Sequence, residues 1–318
     1  MIPNREPGSA IEIVVCVPTF RRPEWLTRTL ESLVAQTCRR PFAVVVVEND
    51  AVGREGVAVA QAFFASGQLH GLSLVEGKQG NCHAINAAFG TALAAYPAAL
   101  YLLMIDDDEW ADPDWLGTMV AAAERTGAGV VGGPVMPQIA LGGSAALAGH
   151  PAFCPAFDTS GPVPMIYGSG NCLIARTTFE RLGLPAFDVA YNFLGGGDTD
   201  FFTRARHAGI PFQWVQEAVI NETVPLTRTT LRWLAARGLR IGAINHRIEL
   251  KHALSGADRL AIAAKSVAVL GLSVVRSLRL FVKTRQPAFA LHPIAVALGR
   301  CLAAAGIEPQ PYRAAAPK

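Results

Sequence analysis

Short runs of apolar, mostly β-branched residues recur through the first two-thirds of the chain, and several of them end abruptly in polar side chains. They are IEIVVCV (11–17), FAVVVVEND (42–50), LSLVEG (72–77), ALYLLMI (99–105), GVVGGPV (129–135), NCLIAR (171–176) and FQWVQEAVI (212–220). A strand that is apolar at consecutive positions has no face to turn to water, so it must be covered on both sides. The covers are legible between the runs. Pro23–Gln36 places Leu26, Leu30, Leu33 and Val34 on one helical face, with proline in the first turn. Residues 81–96, 113–126, 177–183 and 198–209 also read as helices. Strands alternating with helices predict an α/β, Rossmann-like fold with a mostly parallel sheet and helices on both faces. With 51% hydrophobic and 17% charged residues, the chain can bury a sizeable core, which excludes a disordered protein. No internal repeat is evident, and 132–170, rich in glycine and proline, reads as loops and short strands.

In such sheets ligands bind beyond the carboxyl ends of the strands. Three strand ends carry polar groups here: Thr19 with Arg21, Glu48 with Asp50, and the run Asp106, Asp107, Asp108, Glu109 that follows YLLMI. They are expected to converge on one crevice. Adjacent carboxylates repel, and at the end of a buried strand they hold their charge only when a cation neutralises them. Oxygen ligands with no histidine or cysteine nearby favour a hard ion, Mn2+ or Mg2+, which keeps waters and binds through one or two carboxylates plus substrate phosphates.

The ordered set VCVPTFRRPEWL, VVVVEND, GNCHAIN, YLLMIDDDEW and GGGDTDFFTRARHAG resembles an inverting family 2 glycosyltransferase of the GT-A fold, within it the bacterial exopolysaccharide (succinoglycan-type) branch. The resemblance spans roughly residues 11–225. It implies that Asp106 and Asp108 are the acids of a D-x-D element that binds the metal, with Asp107 between them on the donor side. It implies that Pro18, Thr19 and Arg21 line the nucleotide pocket, and that Glu48 and Asp50 take the base or ribose. Lys78 is placed to pair with the diphosphate. Related transferases carry a Glu-Asp pair whose Asp is the catalytic base. Position-matched, Asp198 is that base, and Gly197 stands where the Glu would be. A base is needed because an acceptor hydroxyl must lose its proton as it attacks the sugar. Asp200, the second candidate for the base, is placed on the acceptor side and reads otherwise as structural, tying down the helix start. The glycines of YGSGNCL, with Gly170 and Asn171, are expected on the acceptor side, and Trp214 is placed to stack on a sugar or to pack in the core. Thr223 stands where many relatives have a histidine.

The charge is divided unevenly. From Leu226 to Lys318 there are 15 Lys and Arg against 3 Asp and Glu, a net of +12 that leaves −9 for residues 1–225. A basic tail on an acidic body suggests a polyanionic partner. Within 260–283 only ten residues separate Lys265 from Arg276, fewer than a spanning helix needs, and Lys265, Arg276, Arg279 and Lys283 share one stripe of a helix whose remainder is Leu, Val and Ala. The expectation is a catalytic domain over 1–225 and a basic, amphipathic helical tail over 226–318 that lies on an anionic membrane surface. Interleaved exposed aromatics and any nucleic-acid module are missing, so nucleic acid is not the expected partner. The N-terminus MIPNREPGSA has no apolar h-region, and the six cysteines show no CxxC pair. A cytoplasmic protein on the inner face of the plasma membrane is therefore expected, with cysteines as small buried hydrophobes. It would transfer a sugar, by default from a UDP-sugar, to a lipid-linked saccharide. Two rivals stand beside this reading: a membrane-docked nucleotide-sugar-binding protein without turnover, and a sugar nucleotidyltransferase.

Overall fold

The structure, a computed structural model, describes residues 10–307. The N-terminal residues 1–9, on which the expectation of no signal segment rests, lie outside the described residues. The chain packs as two units. The first holds the described residues up to Met136 together with Pro155–Asn192 and Gly197–Glu222. The second holds Pro137–Cys154, Phe193–Gly196 and the described residues from Thr223 on.

The first unit opens with β1 (Ile13–Thr19), α1 (Pro23–Val34), β2 (Phe42–Glu48), α2 (Glu55–Ala65), β3 (Gly71–Val75), α3 (Asn81–Ala95) and β4 (Tyr101–Met104). It continues through β5 (Glu109–Ala111), α4 (Trp115–Thr126), β6 (Val130–Gly132) and β7 (Val135–Ile139), which runs into the second unit. After β8 (Gly161–Val163) come β9 (Cys172–Ala175), α5 (Arg176–Leu182), α6 (Gly197–His207), β10 (Phe212–Trp214) and β11 (Ile220–Val224). The main sheet has the order β3-β2-β1-β4-β9-β6-β10-β8. Its first four strands are mutually parallel, and β6 is parallel to β10. The strand β9 is antiparallel to both β4 and β6, and β8 is antiparallel to β10.

Every residue of β1 and β2 is buried, as runs with no polar face require. Ile13, Val15, Val17, Val44 and Val46 share one core cluster with Leu26, Leu30 and Leu33 of α1 and with Trp115 and Met119 of α4. Alternate residues point to the opposite face, where α3 covers β1 and β2. Strand β1 continues through Pro18 to Thr19, two residues past its expected end. Pro18 lies beyond Cys16↔Met104, the last pair shared with β4, so its missing N–H interrupts no bond to that strand. Of the six free cysteines, Cys16, Cys82 and Cys172 are buried as expected, whereas Cys154 is exposed.

The second unit is built on α7 (Leu231–Lys251), α8 (Gly256–Thr284) and α9 (Pro287–Ala304). Helices α7 and α9 touch through their backbones: a Cβ on Gly242 would lie 2.0 Å from the Val296 carbonyl oxygen, and one on Gly299 would lie 2.0 Å from that of Leu239. Arg300 of α9, almost wholly buried, donates to Glu249 of α7 at 2.6 and 3.2 Å and lies 3.2 Å from the Ser266 hydroxyl of α8. Ser255 starts α8 with a capping box completed by Asp258. The buried residues of α8 are Ser266, Ser273 and Ser277, while Val267, Val274 and Leu278 are 62–71% exposed.

Candidate active site

The acidic run forms a turn between β4 and β5. Asp106 N–H donates to Glu109 Oε2 at 2.9 Å, and Glu109 N–H returns to the Asp106 carbonyl at 3.2 Å. From α1, the Thr29 hydroxyl donates to the Glu109 carbonyl at 2.5 Å and lies 3.1 Å from that of Asp107. The end of β1 meets the same turn: Thr19 Oγ1 donates to Asp107 Oδ2 at 2.8 Å, and Phe20 N–H reaches that oxygen at 3.3 Å. Arg22, the residue before α1, places Nη1 3.0 Å from Asp107 Oδ1 and 2.9 Å from Asp108 Oδ2. The ends of β1 and β4 therefore meet by direct bonds, and Arg21 ties the end of β2 to them through Asp50 at 2.8 Å.

Crowding of these acids changes their chemistry. Burial first, then Asp108, Asp107 and Glu222, push the Asp106 carboxyl up to about 8, against the pull of Arg22. Burial together with Asp106 and Glu222 holds Glu109 well above the ordinary glutamate range. Glu222 arrives because β11 pairs antiparallel with β5, Glu222 opposite Glu109. At neutral pH part of the cluster therefore carries protons that an entering cation would displace. The donor set, oxygen only and short of positive charge, fits a hard divalent ion. Among the described residues no group of three or more His, Cys, Asp and Glu side chains is arranged to hold a metal unaided. Phosphate oxygens would have to complete the shell.

The third strand end, that of β2, is organised by its own side chains and by Arg21 of the β1 end. Both oxygens of Glu48 are engaged, one by the N–H of Asp50 at 2.7 Å and one by that of Gly56 at 2.9 Å. Asp50 pairs with Arg21 Nε at 2.8 Å, a bond that is the first cause holding its carboxyl below the usual range. Arg21 itself sits at φ +55, in the left-handed region that costs a non-glycine residue about 1 kcal/mol. Pro18 is buried beneath this end. Asn49 fixes the loop before α3, bonding the Glu76 and Lys78 carbonyls and the Gly80 N–H, while Asn192 holds the Gln79 carbonyl and the Cys82 N–H. Lys78 is exposed on that loop.

Asp198 lies half-buried in the first turn of α6, accepting from Thr199 N–H at 2.7 Å. The buried Cys172 thiol, opposite Met104 at the site end of β9, is raised by burial and then by Asp198 and Asp106. One thiol thus lies within electrostatic reach of both acidic segments. A Cβ on Gly197 would lie 2.8 Å from Cys82 Sγ and 3.1 Å from the Phe187 ring. A side chain here would require the Cys82 thiol to move. Asp200, expected on the acceptor side, is fully buried against Arg204 Nε at 3.1 Å, a contact within the fold.

Two of the expected acceptor-side side chains are occupied by the fold. Asn171 is buried, accepting from Trp115 Nε1 at 2.8 Å and donating to the Pro134 and Ala218 carbonyls. Trp214 is buried with its ring edge on Phe157 at 5.4 Å and its Nε1 on Gln216. Gly170 gives Glu109 its space, since a Cβ there would lie 2.5 Å from Glu109 Oε1. Arg22, Thr29 and Glu222 are site residues that the sequence reading did not single out. The opposite charge of Arg22, three residues after Thr19, was the signal available for it.

The model of the family described as glycosyl transferase family 2 matches residues 14–167. The succinoglycan biosynthesis protein ExoM of Rhizobium meliloti (strain 1021) is 31% identical over 281 residues, covering 82% of this chain and 83% of that protein. The chain belongs to glycosyl transferase family 2. The O-antigen biosynthesis protein RfbC of Myxococcus xanthus is 27% identical over 219 residues, which is 63% of this transferase and 16% of RfbC. Among solved structures, the mannosyltransferase PcManGT from Pyrobaculum calidifontis, in complex with GDP-Man and Mn2+, superposes with a TM-score of 0.60 at 17% identity, covering 94% and 89% of the two chains. S. aureus TarS 1–349 in complex with UDP gives 0.52 at 13% identity, covering 93% and 92%. At these identities the likeness is one of fold, and it establishes the transferase as GT-A.

Proposed function

We propose that the protein is a metal-dependent, inverting glycosyltransferase that moves a sugar from a nucleotide-sugar donor, by default a UDP-sugar, to a lipid-linked saccharide during exopolysaccharide biosynthesis. The observation that carries this reading is that the acidic turn and Asp198 both lie within electrostatic reach of one thiol, Cys172 of β9. One set of carboxylates suits the leaving diphosphate, and a separate one suits the incoming hydroxyl. Relatedness to ExoM supports the polysaccharide context.

Asp106 and Asp108 would hold Mn2+ or Mg2+, which when bound neutralises charge on the departing diphosphate without proton transfer. Asp198 accepts the proton of the acceptor hydroxyl. The oxygen thus freed bonds to the anomeric carbon as the bond from that carbon to the phosphate oxygen breaks, which inverts the centre in one displacement. Arg21 and Asp50 brace the nucleoside end of the crevice, and Lys78 lies on the loop positioned by Asn49. The test is binding of a UDP-sugar and GDP-sugar panel with Mn2+, with Mg2+ and with chelator. One donor retained only with metal supports the reading, and no binding under any condition refutes it.

The same reading puts the enzyme at the cytoplasmic face of a membrane. Contrary to the expectation from the Lys265–Arg276 spacing, α8, like α9, is by length and composition long and apolar enough to cross one, with mean hydropathy of 1.6 and 1.4 over 18 residues, and α8 is only 17% buried over that window. The buried face of α8 is made of Ser266, Ser273 and Ser277 while Val267, Val274 and Leu278 face outward, an arrangement suited to lipid rather than water. The basic excess of the tail favours anionic headgroups. Co-flotation with vesicles containing phosphatidylglycerol, and not with neutral vesicles at high salt, is the expected result.

A further inference from the structure

Arg22 occupies an unusual place. One guanidinium nitrogen bridges two neighbouring carboxylates, 3.0 Å from Asp107 Oδ1 and 2.9 Å from Asp108 Oδ2. The two acids are 8% and 9% exposed at the side chain, whereas Arg22 is 41% exposed. The acids belong to the fold: Asp107 is fixed by Thr19 Oγ1 and Phe20 N–H, and the turn carrying both is bonded to Thr29. The arginine reaches them from the solvent side on a long stem, so it can leave without disturbing the turn.

A cation entering at Asp108 must therefore compete with one already there. Alone, a divalent ion would displace the guanidinium and then face it as a like charge in a site of low dielectric. If a diphosphate enters with the ion, the released guanidinium gains a new anionic partner of the kind arginine binds best. The two ligands then help each other, and the coupling runs through Arg22.

We infer that Arg22 is the resident counter-ion of the acidic turn, a positioning residue that yields Asp108 to a divalent cation and thereby makes cation binding conditional on the donor's diphosphate. This rests on the metal-dependent reading above and deepens it. It gives the nucleotide-free protein a neutralised turn that does not take up free divalent ions, and it keeps Asp107 and Asp108 oriented until the donor arrives.

The test is titration of Mn2+ into the full chain, free ion read by electron paramagnetic resonance, without nucleotide and with UDP or GDP. The wild type is expected to bind Mn2+ weakly alone and at least tenfold more tightly with one of the nucleoside diphosphates. Arg22→Met should bind Mn2+ alone about three- to tenfold more tightly than wild type and lose most of the enhancement by nucleotide. Arg22→Lys, which keeps a cation at the position, should stay near the wild type. Circular dichroism identifies a variant that has not folded, and Arg22→Gln then replaces Arg22→Met. Equal or weaker Mn2+ binding in folded Arg22→Met overturns the inference and leaves the metal reading intact. No Mn2+ binding by the wild type with either nucleotide overturns both.

Discussion

Glu249→Ala removes the main partner of a guanidinium that cannot return to water. Arg300 is 4% exposed at its side chain, and its charge is met by Glu249 at 2.6 and 3.2 Å, with the neutral Ser266 hydroxyl as its other partner. Leaving such a charge buried costs about 3–5 kcal/mol. The reverse change is milder. In Arg300→Met the Glu249 carboxylate, 27% exposed, keeps Lys265 Nζ at 2.7 Å, so the loss is about 1.5–3 kcal/mol, that of hydrogen bonding to a charged group. Replacing both, Glu249→Leu with Arg300→Met, leaves neither charge stranded and should cost no more than about 2 kcal/mol. The assay is hydrogen exchange of α7 and α9 amides in the intact chain, read by mass spectrometry. Glu249→Ala should speed it by about two to nearly four orders of magnitude, and the double variant by far less. A double variant as unstable as the sum of the singles would refute the reasoning. The pair also sets an acid limit. Burial alone would raise the Glu249 carboxyl, but the bonds from Arg300 and Lys265 outweigh it and leave the group below its ordinary 4.5. Its contribution is full above pH 4.5 and is lost as pH falls through the lower folded value.

Gly242→Val places side-chain carbon within 2.0 Å of the Val296 carbonyl and should separate α7 from α9, seen as loss of the protected amides in both helices. Gly170→Ala drives a methyl to 2.5 Å from Glu109 Oε1, and should lower the melting temperature by the equivalent of about 1–3 kcal/mol while weakening metal-dependent donor binding. Thr19→Val removes the 2.8 Å bond to Asp107 and should weaken donor affinity roughly five- to tenfold, about 1–1.5 kcal/mol, with little change in the far-ultraviolet spectrum. Val274→Asp with Leu278→Asp puts charge on the exposed arc of α8 and should reduce vesicle co-flotation without changing donor binding.

The sheet was legible because the runs Val14–Val17 and Val44–Val47 leave no face for water, a constraint that needs no tertiary information. The helix α2 was not, since its glycine-containing first turn follows Arg54 in a left-handed conformation with no side-chain cap. Strand direction was equally hidden. The run NCLIAR reads as a strand, but only its neighbours β4 and β6 make it antiparallel. At the site, the acidic turn stood out by its position after YLLMI, and Asp198 by its place at a helix start. Arg22, Glu222 and Cys172 become site residues only through pairings between distant parts of the chain: Arg22 meets Asp107 85 positions away, and Glu222 and Cys172 arrive by strand register. No local pattern encodes such meetings. In the tail, the sequence pattern marked the cationic stripe, whereas the serine face turned inward in α8 was visible only once its partners α7 and α9 were in place.

The most direct test of the account compares wild type with Asp198→Asn for slow hydrolysis of the bound donor, and for transfer when membrane lipid extract supplies the acceptor. The account predicts that the variant retains metal-dependent donor binding and loses both reactions by about 10²–10⁴-fold. Unchanged turnover in a folded Asp198→Asn protein would contradict it.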